Sequence, residues 1–482
     1  KNNEAAPEKA QSRLRRVYNR TPAPLRAIAR FAWWLWSVRR VVGSCRSLPP
    51  SSAPTGTITT YFPNIDVRKA EEGVFRSRYW ESLHDALQDD AGARNTPAVR
   101  WLFVLFPSPQ GSLAKCCGFR DNFRKTRKSG VSFNYLEEFL TPGGVLKSLV
   151  RYTRIAIMSA VFGKKIRSSF HFADSTLDLW PLLSGEYAES FRGWRCLERC
   201  LQQKGIVALS GRQRYWTFPL ENCPWERMLT HAVHEAGAGT VYGAQHSPIR
   251  PTDFRYFDDP RTFSDPGTSA FQPDYVVGNG SAAVSQWADA GVPEARLRKA
   301  EALRYLYLAG SEPAPFTGTP GDLLVVTSFF RDETEAHLKL LAEALQAGLL
   351  GNFRVTVKPH PYLPVQERLS GLLHGRTEGL RFSTAPIADE LACNPLVWAS
   401  NSTTVALEAA IKGLPVMVMQ PSGDFDLCPL QNIKELPRTS NLDDVRAGLA
   451  SAAPLSLAPD YLLLDTSLTA WRTMLGLRHM GS

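Results

Sequence analysis

Short apolar stretches that alternate with helical segments constrain the fold of this chain more than any other feature. The run VRWLFVLFP at 99–107 and the run DLLVVTSF from 322 are typical of strands that are buried on both faces. Helical patterns such as TEAHLKLLAEALQAG and TTVALEAAIKG lie between such runs. Strands that alternate with helices predict parallel sheets and an α/β fold.

The same patterns predict the remaining elements. Further strands are expected at TITTYF, GIVALSG (205–211), GTVYGAQHS, PDYVVGNG, RYLYLAG, FRVTVKPHP, GLRFST, PLVWAS and LPVMVMQ. Helices are expected at about 134–163 and 186–204, over PWERMLTHAVHEAG, and in the final stretch APDYLLLDTSLTAWRTMLGL.

Two stretches rich in proline and small residues divide the chain. SLPPSSAPTG occupies 47–56 and AGSEPAPFTGTPG occupies 309–321. We predict an arm and linker at 1–55, a first Rossmann-like domain at 56–310, a second at 320–460, and a C-terminal helix at 461–482 that can cross back to the first domain. Two such domains place a ligand cleft between them.

The positive charge of the chain belongs to the arm. Residues 1–46 carry a net charge of +9, out of +10 for the whole chain, so the body is nearly neutral and nucleic-acid binding is not expected. Within the arm, PLRAIARFAWWLWSVRRVV predicts an amphipathic helix with three tryptophans, too short in its apolar run to span a bilayer. Such a helix fits a membrane surface, or it packs on its own domain with solvated arginines.

Two predicted strands of the second half end in polar residues. KPHP follows one strand and supplies Lys358, His360 and Pro361, where the lysine adds charge and the histidine can donate to a phosphate oxygen. ASNSTT follows another and precedes a helix. Its backbone N–H groups and hydroxyls predict a phosphate site, whereas simple helix capping needs only one such residue. The residues concerned are Ser400, Asn401, Ser402, Thr403 and Thr404.

Glu408 lies four residues after Thr404 on the same helical face. From there its carboxylate can reach the hydroxyls of a ribose. The alternative is a solvated glutamate on a helix surface.

KPHP followed by SNSTT and EAAIKGLPV resembles the donor-binding half of GT-B glycosyltransferases, and most closely the bacterial surface-polysaccharide group. That group includes capsule Kdo transferases, sialyltransferase-like enzymes and CDP-glycerol glycerophosphotransferases. The resemblance implies that His360, Pro361, Ser402 and Thr403 hold the donor nucleotide and its phosphate, with Glu408 on the ribose. The first half resembles a surface-carbohydrate family through ENCPWERML, GAQHSPIRPTDFRYF and EALRYLYL. The D/E-D/E-G acid/base motif of several sialyltransferase families has no convincing match, which argues against plain sialyl transfer.

The acceptor side must supply a base or a nucleophile. Glu221 precedes a predicted helix and is better placed for this role than Glu226, which is expected inside it. His246 stands in GAQHS, which resembles the QHG strand exit of the related transferases, and it is a candidate base or phosphate ligand. Each also has a purely structural alternative. Arg250, Asp253 and Arg255 follow in a loop that can contact an anion.

The resemblance implies a GT-B glycosyltransferase without a cofactor. Metal independence is predicted because no DxD-like motif is placed to bind a diphosphate–metal pair. The expected donor is a CMP-linked Kdo or related nonulosonic acid, and the expected acceptor is a lipid-linked, lipopolysaccharide or capsule glycan. The expected location is cytoplasmic and peripheral on the inner face of the cytoplasmic membrane, held by residues 1–46. The alternatives are a CDP-glycerol-type polyol-phosphate transferase on the same fold, or a non-catalytic glycan-binding or assembly protein.

Overall fold

The computed structural model describes residues 21–44, 55–62, 65–77, 79–94, 99–105, 112–126, 130–170, 178–209, 213–250, 253, 255–310 and 321–477. Most of both predicted linkers and the first part of the arm lie outside these residues. Thirteen strands are described: β1 (Thr55–Phe62), β2 (Val99–Leu105), β3 (Val131–Tyr135), β4 (Gln213–Pro219), β5 (Thr240–Ala244), β6 (Tyr275–Gly278), β7 (Leu297–Lys299), β8 (Asp322–Val326), β9 (Arg354–Lys358), β10 (Arg381–Phe382), β11 (Leu396–Ser400), β12 (Val416–Met419) and β13 (Arg438–Thr439).

The described helices alternate with these strands over much of the chain. They are α1 (Ala23–Val38), α2 (Val67–Glu71), α3 (Leu83–Arg94), α4 (Leu113–Thr126), α5 (Pro142–Val161), α6 (Gly163–Ser168), α7 (Trp180–Phe191), α8 (Trp194–Leu209), α9 (Pro224–Ala236), α10 (Pro266–Ser269), α11 (Ser281–Asp289), α12 (Arg331–Gln346), α13 (Gln366–Leu372), α14 (Ile387–Leu391), α15 (Val405–Ile411), α16 (Leu442–Ser451) and α17 (Thr469–Leu475). Short 3-10 helices cover Leu136–Phe139, Pro260–Phe263, Glu294–Arg296 and Leu303–Leu308.

The strands form two sheets with the same winding. The first has the order β3-β2-β1-β4-β5-β6-β7 and the second the order β10-β9-β8-β11-β12-β13. The pairs of β1 with β2 and β4, and every pair of the second sheet, are parallel. Each sheet begins with the strand order 3-2-1-4 of a Rossmann fold. The predicted α/β class with two Rossmann-like halves, as in GT-B proteins, is confirmed.

The second sheet is buried on both faces, which explains its continuous apolar strands. Along β8, Leu324 and Val326 belong to one hydrophobic core, and Leu323 and Val325 belong to the core on the other face. This alternation follows from the period of two along a strand.

Three of the predicted elements are wrong, and the structure gives the reason for each. Residues 205–209 of GIVALSG form the last turn of α8, and the strand follows at β4, because a short apolar run fits a buried helix as well as a strand. RYLYLAG is mostly a 3-10 helix at Leu303–Leu308 that buries Tyr305 and Leu308. Of the helix predicted from 458 onward, only Thr469–Leu475 is helical.

Contacts divide the chain into two compact units. Unit 1 comprises Lys1–Arg78, His84–Gly243 and Arg261–Tyr275, and unit 2 comprises Tyr79–Leu83, Ala244–Pro260 and Val276–Ser482. Strands of the first sheet lie within 55–299 and those of the second within 322–439. The domain boundaries that the sequence suggests stay a prediction.

The C-terminal helix α17 is anchored within unit 2. The backbone N–H groups of Ala470 and Trp471 donate to the Glu301 carboxylate at 2.7 and 3.0 Å, and the Trp471 indole donates to the Glu301 carbonyl at 3.0 Å. Glu301 follows β7, so the end of the chain is fixed near the last strand of the first sheet.

Helix α1 of the arm carries apolar residues on both its buried and its exposed side. One face buries Ala27 and Val38 and packs Trp34 against the cluster around Trp194 of α8. The opposite face leaves Trp33 and Trp36 more than half exposed. One face of α1 therefore packs on its own domain, and contact of the other face with a membrane stays a prediction.

Candidate functional site

The switch point of the second sheet lies between β8 and β11, where a Rossmann fold binds ligands beyond the carboxyl ends of the strands. Val326 of β8 is paired with Lys358 of β9 on one side and with Ala399 of β11 on the other. KPHP lies at the end of β9 and SNSTT at the end of β11. Because β8 separates these two strands, the motifs are not adjacent to each other. The sequence TSFF at 327–330 lies between them.

Ser402 is held from two sides by oppositely charged residues. Its backbone N–H donates to the Glu333 carboxylate of α12 at 2.8 Å, and its carbonyl accepts from the Arg250 guanidinium at 2.8 Å. Glu333 is buried, and burial raises the pKa of its carboxyl, opposed by the hydrogen bonds from Ser402 and by Arg250. Arg250 thus places a cation beside the predicted phosphate site.

Three of the backbone N–H groups at this turn donate to acceptors within the chain. Glu333 accepts the Ser402 N–H, the Ser400 carbonyl accepts the Thr403 N–H at 3.2 Å, and the Thr403 hydroxyl accepts the Val405 N–H at 3.4 Å. An anion at this turn would therefore meet hydroxyl groups and the Arg250 guanidinium before it met free amides.

The side chains of Ser400 and Asn401 form hydrogen bonds with residues outside the turn at 400–404. Ser400 is fully buried, and its hydroxyl lies 2.8 Å from Nδ1 of His337, whose pKa burial lowers to about 3. Asn401 donates to the Phe425 carbonyl at 2.8 Å and accepts from the Leu427 N–H at 3.0 Å. These contacts fix the strand end and the loop at 425–427. A direct contact of either side chain with a ligand stays a prediction.

His360 lies among aromatic rings at the end of β9. Its ring centroid is 5.7 Å from that of Phe329 and 5.4 Å from that of Tyr362, and both neighbours are more than half exposed. Burial lowers the His360 pKa, which favours the neutral form of the ring. Nδ1 accepts the Tyr362 N–H at 3.3 Å, which leaves Nε2 as the protonated donor.

Lys358 and Pro361, the other predicted site residues of KPHP, differ from His360 in their contacts. The Lys358 ammonium donates to the Ala385 carbonyl, and burial lowers its pKa. Pro361 is exposed beside His360. Lys358 is thus already engaged at the strand end, while its predicted role toward a donor stays a prediction.

Glu408 is a buried carboxylate with fixed partners, which neither alternative of the sequence analysis anticipated. It accepts from the Thr404 hydroxyl at 2.9 Å and from the Tyr307 phenol at 2.5 Å. Burial, followed by the Glu408 charge, raises the Tyr307 pKa. A carboxylate has about four lone-pair positions, so Glu408 retains acceptor capacity for a hydroxyl group.

In unit 1, the switch point of the first sheet lies between β1 and β4. Glu221 follows β4 and is half-buried, and its N–H donates to the Glu226 carboxylate at 3.1 Å. Glu226 lies in the first turn of α9, as expected, and burial raises its pKa to about 8. Tyr61, from the end of β1, accepts from the Trp225 indole at 2.8 Å. Two carboxyl groups with different environments therefore occupy this strand end.

His246 follows β5 and is half-buried. Its ring stands edge-on to Tyr79 with centroids 4.7 Å apart. The preceding Gln245 fixes the strand exit, because its side chain accepts the Asn279 N–H at 2.7 Å and donates to the Ser247 carbonyl at 2.8 Å. The histidine is thus presented by a rigid turn.

The charged residues of the loop after His246 have different partners. Arg250 contacts Ser402, whereas Arg255 pairs with Asp253 at 2.6 Å and lowers the Asp253 pKa against the effect of burial. Within the described ranges, no group of three or more His, Cys, Asp or Glu residues is arranged to hold a metal ion. Metal independence stays a prediction.

Sequence reasoning missed Phe329, Glu333 and Tyr307. The signals in the sequence were the predicted strand DLLVVTSF, which contains Phe329, and the stretch EALRYLYL, which contains Tyr307. Glu333 and Ser402 are 69 positions apart, and Tyr307 and Glu408 are 101 positions apart, so only the fold brings them together.

No protein-family profile and no curated protein matches the chain. Among solved structures, the chain is similar to Anabaena HepE in complex with UDP and glucose, with 12% identity, 82% of this chain and 88% of that chain covered, and a TM-score of 0.38. The lipopolysaccharide outer core galactosyltransferase WaaB matches with 10% identity, 82% and 89% coverage, and a TM-score of 0.39. The UDP-GlcNAc 2-epimerase of Neisseria meningitidis bound to UDP-GlcNAc matches with 10% identity, 88% and 100% coverage, and a TM-score of 0.44.

Proposed function

We propose that the chain is a glycosyltransferase that moves Kdo or a related nonulosonic acid from a CMP-activated donor to a lipid-linked, lipopolysaccharide or capsule glycan. The observation that carries the proposal is the second switch point, where the Ser402 turn follows β11 and contacts Arg250, and His360 follows β9 on the other side of β8. Phosphate, base and ribose each have a group of suitable chemistry there.

The donor phosphate is assigned to Arg250, His360 and the Ser402–Thr403 hydroxyls. A guanidinium forms strong charge-assisted hydrogen bonds with phosphate oxygens. His360 Nε2–H adds a neutral donor. A CMP-linked sugar has a single phosphate, and the Arg250 guanidinium with these neutral donors offers enough hydrogen-bond donors for it.

The base of the nucleoside is assigned to the exposed rings beside His360, and its ribose is assigned to Glu408. Phe329 and Tyr362 offer exposed rings on which a pyrimidine can stack. The Glu408 carboxylate, held by Thr404 and Tyr307, accepts from a ribose hydroxyl. Catalysis at the acceptor is assigned to Glu221, with His246 as a second base or as a phosphate ligand.

Thermal unfolding measured with CMP, CDP, UDP and dTDP tests the proposed donor. CMP is expected to stabilise the chain most, by about 2.7 kcal/mol at a concentration of 100 times its Kd. In the His360→Ala protein the CMP effect is expected to shrink, with the ligand-free transition unchanged because His360 is not a core residue. A response to CDP or UDP but not to CMP would contradict the assignment and favour a CDP-glycerol or UDP-sugar donor.

We also propose that α1 holds the protein peripherally on the cytoplasmic membrane. No helix among the described residues is long and apolar enough to cross a bilayer. Trp33 and Trp36 stand on the exposed face, and tryptophan favours the headgroup region. Trp33→Gln/Trp36→Gln is expected to weaken binding to anionic vesicles about tenfold or more and to leave turnover on a soluble acceptor unchanged. Equal vesicle binding by this variant and the unmodified chain would show that α1 does not hold the protein on the membrane.

A further inference from the structure

Helix α5 of unit 1 presents an apolar stripe to solvent. Leu146, Val150, Ile157 and Val161 are 63%, 64%, 58% and 68% exposed. Their spacing of four, seven and four residues places all of them on one side of the helix. Single exposed aliphatic residues are common, but four large ones in one row are not what a solvated helix face requires.

The side of the same helix that faces unit 1 combines apolar and polar contacts, since Leu149 and Ile155 pack against the cluster around Leu197. Ser148 donates to the Gly144 and Cys200 carbonyls at 2.8 and 3.0 Å, and Tyr152 donates to the Arg192 carbonyl at 2.7 Å. Ser159 is buried as well. Helix α5 is therefore docked on unit 1 through both hydroxyl groups and aliphatic side chains, while four further large aliphatic side chains face solvent, where a surface helix usually carries polar residues.

The helices that carry and follow the stripe contain basic residues and no acidic ones. Helix α5 carries Lys147, Arg151 and Arg154, and α6 directly after it carries Lys164, Lys165 and Arg167. No Asp or Glu occurs between residues 139 and 173. An apolar row flanked by cations is the pattern of a helix that lies in the headgroup region of an anionic bilayer.

We propose that the α5–α6 face is a membrane-contact surface for anionic lipid, in addition to α1 and independent of the donor that the protein uses. A second copy of the chain is a poorer occupant. A two-fold interface would bring the cations of one copy toward those of the other, with no acid from the same segment to pair with them. Helices α1 and α5 both pack on α8 through the cluster around Leu197, so the two surfaces belong to one helical part of unit 1.

Co-sedimentation of the full chain with vesicles tests the proposal. Vesicles contain phosphatidylcholine alone or with added phosphatidylglycerol. The unmodified chain is expected to bind the anionic vesicles, and Leu146→Gln/Val150→Gln/Ile157→Gln is expected to bind them at least about tenfold more weakly, because partitioning scales with the apolar area inserted. Val74→Gln/Phe271→Gln/Phe425→Gln changes exposed apolar residues on other elements and is the matched control, with binding within about twofold.

Lys164→Gln/Lys165→Gln/Arg167→Gln leaves the apolar stripe intact and is expected to weaken binding to anionic vesicles only. It also keeps the test decisive if the α5 variant does not fold. Unchanged vesicle binding by either folded variant would overturn the proposal. Conversion of a dimer to a monomer by the α5 variant, with vesicle binding unchanged, would likewise overturn it and identify the face as a contact between copies.

Discussion

Replacing Glu138 with Ala is expected to lower the free energy of unfolding by about 3–5 kcal/mol, the largest stability effect that we expect from a single substitution here. The Glu138 side chain is fully buried and pairs with Arg120 and, at 2.6 Å, with Arg124. It also accepts from the Asn134 amide at 2.9 Å and from the Tyr135 N–H at 3.3 Å. Alanine leaves two partly buried guanidinium groups and an amide without their shared acceptor.

Urea unfolding followed by tryptophan fluorescence measures this effect. Because a chain of two units need not unfold in one step, the first unfolding transition is compared between variants. Glu186→Ala is the control, since Glu186 pairs with Arg195 at the surface and is expected to change stability by no more than about 1 kcal/mol. Equal effects of the two substitutions would show that burial of the Glu138 network does not stabilise unit 1.

Replacing Glu221 with Gln is expected to reduce glycosyl transfer by about 10²–10⁴-fold, the range for removal of a general base, while leaving the thermal response to CMP intact. Glu221 follows β4 at the switch point of the first sheet, and its half-buried position permits contact with an acceptor. Initial rates at saturating donor measure the loss. His246→Gln is tested in parallel, because a phosphate ligand would reduce the CMP response whereas a base would reduce turnover alone.

Glu226→Gln is the matched control for Glu221. The Glu226 carboxyl has a pKa raised to about 8 by burial, so it is largely protonated at pH 7 and resembles an amide. The amide oxygen of the introduced glutamine can still accept the Glu221 N–H. Turnover of Glu226→Gln is therefore expected to stay within about threefold of the unmodified chain. A large loss with Glu226→Gln and none with Glu221→Gln would transfer the catalytic role to the buried acid.

The sequence allowed the sheets to be predicted where strands are buried on both faces. VRWLFVL and DLLVV are continuous apolar runs because each faces hydrophobic side chains above and below its sheet. The prediction failed at GIVAL (205–209), where a short apolar run suits a helix end as well as a strand. There the residues continue a helix that packs on neighbouring helices and buries Ile206 and Leu209.

The candidate site was predictable only in part, for a related reason. Both KPHP and SNSTT carry local signals, since polar residues end apolar strands, and both do lie at strand ends of one sheet. Their separation by β8 depends on strand order, which local patterns do not encode. The contacts of Ser402 with Glu333 and Arg250 join distant segments, so the charges around the predicted phosphate site emerged only from the fold.

Transfer from CMP-Kdo to a short lipopolysaccharide-type acceptor tests the central claim most directly, with CDP-glycerol and UDP-sugars as parallel donors and NMR of the anomeric centre of the product. The account predicts release of CMP, a Kdo residue on the acceptor and no loss of rate in EDTA. Transfer of glycerol phosphate or of a UDP-linked sugar, with none from CMP-linked donors, would contradict it.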